Sequence, residues 1–166
     1  MNYTFKNEVI TLLGNQVQVG DKAQDFKAVK NDMSEYKLSD DFGKILVISV
    51  VPSIDTSVCS IQTKYFNEEA TKLSEEVKII TISMDLPFAQ KRFCAAEGIE
   101  NIEVVSDYRD RDFGQKYGFL IDELKLLSRG TIVIDREGKI AHVEYVEEST
   151  NEVDFDAVIN KIKELI

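Results

Sequence analysis

The chain has 166 residues, with 20 Lys and Arg against 30 Asp and Glu, a net charge of −10 at pH 7. That length sets the expectation of one domain over residues 1–166, able to bury a core without disulfide staples. The acidic balance repels phosphate backbones and anionic bilayers, so neither nucleic acid nor membrane is an expected partner.

Residues 1–8 hold no basic stretch leading into an apolar run, and no window reaches the ~18 apolar residues of a membrane span. A cytoplasmic location is expected. Reducing conditions there disfavour a permanent disulfide. The two cysteines, Cys59 and Cys94, form no C-x-x-C, and His142 is the single histidine, so no familiar zinc set can be assembled. No metal and no cofactor are expected.

Residues 1–20 alternate loosely through Tyr3, Phe5, Val9, Leu12 and Val17 around Asn7-Glu8 and Gly14-Asn15, which predicts one or two short hairpins. Gly14-Asn15 is the better turn signal. Short strands follow near 26–30 and 35–38, separated by Asn31-Asp32. The apolar run Ile45 to Val51 reads as a buried strand of a parallel sheet, stopped by Pro52. Asp55 or Thr56 can then cap a helix opening with Ser57, Val58 and Cys59. Val58, Ile61, Tyr65, Phe66, Ala70 and Leu73 form its predicted apolar stripe.

Val77 to Met84 is a second β-rich run. Pro87 lies in the first turn of a helix running to Glu97, with Gly98 as its cap. Residues 102–106 make a third strand, and Arg109 to Tyr117 a short helix ending at Gly118. Residues 131–135 and 139–145 flank Arg136-Glu137-Gly138 as a β-hairpin, and a last helix starts near Asp154. This order predicts an α/β, thioredoxin-like fold: a central mixed β-sheet flanked by helices, with an N-terminal β-hairpin extension.

The chemistry centres on Cys59. A sulfur in the first turn of a helix faces unpaired N–H groups and the positive end of the helix dipole, which favours a thiolate. Taken singly, each residue has a plainer role. A free cysteine is often core filler, Thr56 an N-cap, Pro52 a strand terminator, Arg129 a surface charge and Cys94 filler on an amphipathic helix. His142 on a hairpin strand reads as structural or exposed.

Together the residues carry a resemblance. Pro52-Ser53-Ile54-Asp55-Thr56-Ser57-Val58-Cys59 has the P-x-x-x-T-x-x-C spacing of the peroxiredoxin active-site loop. P-S-I-D-T-x-V-C resembles, more narrowly, the thiol peroxidase branch of the atypical two-cysteine peroxiredoxins. Asp85 to Cys94 is similar to that branch's resolving-cysteine helix, and Leu127-Ser128-Arg129 to the segment with its active-site arginine.

The resemblance implies peroxide substrates, hydrogen peroxide and organic hydroperoxides, with thioredoxin as reductant and a homodimer through the active-site face. Cys59 would be the peroxidatic cysteine, attacking peroxide to become a sulfenic acid. Thr56 would orient thiolate and peroxide, Arg129 would polarise the O–O bond, and Pro52 would shield the sulfur. Cys94 would close a disulfide within the subunit. Gly130, after Arg129, departs from the pattern and is expected to loosen the arginine's backbone.

Thiolate formation alone cannot make such a site fast. A thiol of pKa ~8.5 is about 3% ionised at neutral pH, and lowering the value to ~6 gives about 90%. At a Brønsted slope of ~0.45, lost nucleophilicity cancels all but a few-fold of that gain. A donor aimed at developing charge contributes roughly 10²–10³, so Arg129, Thr56 and the helix N–H groups carry the larger share.

Closing a disulfide requires Cα atoms within ~7 Å, so both helices are expected to unwind locally. Phe88, Phe93, Tyr36 and Tyr117 are candidates to repack during that movement. A thioredoxin-like disulfide oxidoreductase is the first competing reading, opposed by the missing C-x-x-C. A non-enzymatic interaction domain on the same fold is the second, opposed by the complete set Pro52, Thr56, Cys59, Cys94 and Arg129. G-x-S-x-G, G-x-G-x-x-G and P-loop patterns are absent.

Overall fold

The computed structural model describes residues 2–166. The predicted Ile45–Val51 run forms a wholly buried strand, β6 (Ile45–Val50), in the interior of a seven-stranded sheet. It lies parallel to β7 (Val77–Ser83), and β7 lies parallel to β8 (Glu103–Ser106). Helices α1 (Ser57–Ala70) and α2 (Pro87–Glu97) make the two crossovers. On one side β10 (Gly130–Ile134) and β11 (Ile140–Tyr145) extend the sheet antiparallel. On the other, β4 (Lys27–Lys30) and β5 (Glu35–Lys37) do the same, giving the order β11-β10-β6-β7-β8-β4-β5. A 3₁₀ turn, Leu38–Asp41, leads from β5 towards β6.

Successive side chains of a strand point to opposite faces, and β6 supplies both cores this way. Leu46, Ile48 and Val50 join one cluster with Ile80, Ile82, Ile132, Ile134 and the α3 residues Phe113 and Tyr117. Ile45 and Val47 join the other with Phe66 of α1 and Val158, Ile159 and Ile162 of α4. Here α3 is Asp112–Tyr117 and α4 is Phe155–Leu165; the Asp154 carboxylate caps α4 by accepting from Ala157 N at 3.0 Å. Sheet strands and helices therefore match the sequence reading to within a few residues.

Two local expectations hold only in part. The N-terminal hairpin, β1 (Tyr3–Phe5) against β2 (Glu8–Ile10), turns at Lys6-Asn7, one residue before the Asn7-Glu8 signal, and not at the favoured Gly14-Asn15. Both turn residues have positive φ, 52° and 66°, as a two-residue hairpin turn of this hand demands. Gly14 instead lets two backbones meet, since a Cβ there would lie 2.0 Å from the Gln115 carbonyl oxygen. The next strand, β3 (Leu12–Leu13), pairs with the unpredicted β9 (Leu120–Ile121). Secondly, the fully buried residues of α1 are Cys59, Gln62, Thr63 and Phe66; Tyr65, Ala70 and Leu73 of the expected stripe pack against the second core, whereas Ile61 is exposed. The helix seats its sulfur and two polar side chains beside the apolar residues of that stripe.

Candidate active site

Strand β6 ends at Val50, and the chain crosses Val51 and the buried Pro52 before entering α1. Thr56 occupies the N-cap position with extended backbone, but its hydroxyl donates to the Ser53 carbonyl at 3.3 Å and caps nothing. The N–H groups of Ser57, Val58 and Cys59 therefore have no acceptor within the helix. Asp85 fixes this loop from the end of β7: its carboxylate accepts from Ser53 Oγ at 2.8 Å, Ile54 N at 2.9 Å and Ser83 Oγ at 2.6 Å.

Cys59 is fully buried among Val51, Ile54 and Phe93. Arg129 reaches it from the segment entering β10, with Nη2 donating to Sγ at 3.1 Å. The other two guanidinium edges are tied down as well. Nη1 donates to Gln62 Oε1 at 2.9 Å, and Nε donates to the Ser149 carbonyl at 2.8 Å. Gln62 is itself fixed, donating from Nε2 to Ser49 Oγ at 2.7 Å. Arg129 is only 2% exposed, so a buried cation sits with each edge matched to an acceptor, the condition under which burial is tolerated.

Gly130 does not loosen this arginine. It pairs with Val50 and Tyr145 inside the sheet, and a Cβ there would lie 2.1 Å from the Glu144 carbonyl oxygen and 2.6 Å from Phe119 Cε1. Only glycine permits that approach, so the backbone beside Arg129 is held tightly.

Beside Arg129 and the start of α1 lies a cavity of about 270 Å³ lined by Pro52, Thr56, Val58, Arg129, Phe5 and Thr150 among others. Arg129 meets Cys59 directly, and Pro52 and Thr56 share the cavity with Arg129. Gln62 was missed although it lies three residues after Cys59, on the same helical face. A polar residue on a sheet-packed stripe was the available signal. Ser149 contributes only its backbone carbonyl to Arg129, which no residue type announces.

Cys94 stands apart. Both cysteines are free. Cys94 lies near the end of α2, half-buried, and borders a separate cavity with Asn31, Ile99 and Val104. Asn31 Nδ2 lies 3.9 Å from its Sγ. Burial pushes the Cys94 thiol up, with Asn31 acting weakly in the opposite sense. Of the four aromatic residues proposed to repack, Phe93 touches the Cys59 cluster and Phe88 is exposed. Tyr36 and Tyr117 belong to the core on the α3 face. His142 is half-buried and its burial lowers it from the ordinary histidine value. Among the described residues no group of three or more His, Cys, Asp or Glu could hold a metal ion.

A thioredoxin-like sheet carrying a thiol at a helix start, under a fully tethered arginine, defines a cysteine-based redox protein. The Redoxin family matches residues 18–159, and the chain belongs to it, within the thiol peroxidase group of peroxiredoxins. It is 58% identical to a thiol peroxidase of Oceanobacillus iheyensis, over 97% of this chain and 98% of that one. A thiol peroxidase of Bacillus subtilis is 49% identical, over 98% and 97%. Among solved structures, a peroxiredoxin-like protein from Aquifex aeolicus superposes with a TM-score of 0.93 at 43% identity, covering 99% of this chain and 97% of that one.

Proposed function

We propose that this chain is a thioredoxin-dependent thiol peroxidase acting on hydrogen peroxide and organic hydroperoxides, with Cys59 as the peroxidatic residue. The observation that carries the reading is the 3.1 Å contact from Arg129 Nη2 to Cys59 Sγ, made by a guanidinium whose other edges are already occupied. Such a donor needs no reorganisation as charge shifts from sulfur to oxygen.

The Cys59 thiolate attacks one peroxide oxygen. An S–O bond forms, the O–O bond breaks, and the departing oxygen takes a proton and leaves as water or alcohol. Cys59 is then a sulfenic acid. Arg129 and the unpaired N–H groups at the start of α1 stabilise the leaving charge, Thr56 places its hydroxyl at the cavity wall, and Pro52 keeps bulk water from the sulfur. Cys94 then attacks the Cys59 sulfur and expels water, leaving a disulfide. A thioredoxin dithiol reduces that disulfide and is itself oxidised.

The two sulfurs have different neighbours, Arg129 for one and Asn31 for the other. The resolving step therefore requires the first turn of α1 and the end of α2 to unwind. Equal amide protection there in the dithiol and disulfide forms would contradict it. We assign the cytoplasm as the compartment, where reducing conditions keep both thiols available. Among the described residues no helix is long and apolar enough to cross a membrane. A homodimer would cover Leu86 and Phe88, which stand exposed at the start of α2.

Stopped-flow peroxide turnover with thioredoxin tests the assignment. Cys59→Ser should be inactive, and Cys94→Ser should complete one turnover and stall. Steady-state turnover by Cys59→Ser would overturn it.

A further inference from the structure

The N-terminal hairpin is not part of the central sheet; β1 and β2 form a two-stranded sheet of their own. Yet Phe5 and Lys6, at its tip, line the cavity over Arg129 and Thr56. What holds the tip there is the segment after β11. Thr4 N donates to the Glu147 carbonyl at 2.7 Å, and Ser149 N donates to the Thr4 carbonyl at 2.8 Å. Between them, the Glu148 carboxylate binds both sides. Its Oε1 accepts from Asn7 N at 2.6 Å and Thr4 Oγ1 at 3.1 Å. Its Oε2 accepts from Thr150 N at 2.7 Å and Thr150 Oγ1 at 2.6 Å.

The two neighbours of this carboxylate in sequence have their own places at the site. The Ser149 carbonyl holds Arg129 Nε, and Thr150 lines the cavity with Phe5 and Lys6. We propose that Glu148 is a positioning and specificity-determining residue, stapling the hairpin over the cavity beside Arg129 so that Phe5 and Lys6 wall the space for the non-reacting group of an organic hydroperoxide. The inference rests on the reading of Cys59 as peroxidatic. Hydrogen peroxide has no such group and uses the wall less. Burial raises the Glu148 carboxyl, but hydrogen bonds from Thr150, Asn7 and Thr4 outweigh it and hold the group at about 2. The staple therefore stays ionised throughout the working range.

The test compares wild type, Glu148→Ala and Glu148→Gln on cumene hydroperoxide and hydrogen peroxide, alongside amide exchange of residues 3–10. Glu148→Ala should lose about tenfold more in kcat/KM on cumene hydroperoxide than on hydrogen peroxide, mostly through KM, as expected when binding of a remote group is lost. Exchange should accelerate over the hairpin while β6 and β7 keep their protection. Glu148→Gln, which retains one acceptor oxygen, should fall between the two. Equal losses on both peroxides, or unchanged hairpin protection in Glu148→Ala, would overturn the proposal. If the wild-type chain reduced neither peroxide, the Cys59 reading and the specificity claim would fall together. Amide exchange would still report whether Glu148 holds the hairpin.

Discussion

Replacing Arg129 by lysine keeps the charge and removes the fork. The arginine makes three directed contacts, to Ser149 O, Gln62 Oε1 and Cys59 Sγ, at 2.8, 2.9 and 3.1 Å. A single ammonium on a more flexible stem cannot meet all three in this geometry. If it turns towards Gln62 or Ser149, the transition state loses a preorganised donor, a loss of roughly 10²–10³ in rate. If it turns towards the sulfur, up to two buried acceptors are left unpaired, at about 1–3 kcal/mol each. Arg129→Lys should therefore lose rate, stability or both, and the sum is fixed by these contacts. The chain has no tryptophan, so Cys59 oxidation is best followed by quenched-flow trapping. Using the Cys94→Ser background removes the resolving step from the measurement, and urea melts read the stability arm. An Arg129→Lys chain that oxidises Cys59 within a few-fold of the parent and melts at the same urea concentration would refute the argument.

Gly130→Ala should lower stability by about 1–3 kcal/mol through overpacking, because its Cβ would meet the Glu144 carbonyl and the Phe119 ring; urea melts measure it, and the oxidation rate should drop as the adjacent Arg129 shifts. In Cys59→Ser, the pH midpoint for alkylation of Cys94 should lie above the ordinary thiol value of ~8.5, because burial raises this thiol. Asp107 is buried, and burial raises its carboxyl to about 7 against the opposing hydrogen bonds from Gly114 and Phe113 N–H. Between the ordinary carboxylate value of ~3.9 and about 7 the folded state binds the extra proton, so this group's contribution is full at the acid end and is lost as pH rises. Urea melts across that window should show a downward slope in wild type that Asp107→Asn lacks, on the order of 4 kcal/mol over the whole range.

Most of the sheet was legible because β6, β7 and β10 are short apolar runs and each long helix has a recognisable end, such as Pro87 and Gly98 for α2. The pairing of β3 with β9 was not, since two-residue strands far apart in sequence carry no local period. The hairpin turn was ranked below Gly14-Asn15 and placed one residue late, at Asn7-Glu8, because Lys6 and Asn7 adopt positive φ without glycine, while the glycine that drew attention serves a close backbone approach elsewhere. At the site, spacing singled out as candidates the side chains with chemistry of their own: Cys59, Thr56, Pro52 and Arg129. The groups that aim them were not. Gln62 looks like any polar helix residue until Arg129 lies over it, and Ser149 acts through its backbone. Glu148 meets Thr4 and Asn7 across nearly the full length of the chain.

The account stands on Cys59 being the atom that takes oxygen from peroxide. Cys94→Ser leaves it as the only thiol. Exposing that chain to a stoichiometric amount of hydrogen peroxide, trapping with a sulfenic-acid-specific dione and locating the adduct by mass spectrometry reads the event directly. The prediction is near-complete labelling of Cys59, reduced at least tenfold at matched early times when Arg129 is also replaced by methionine. Peroxide consumed with Cys59 recovered as an unmodified thiol would contradict it.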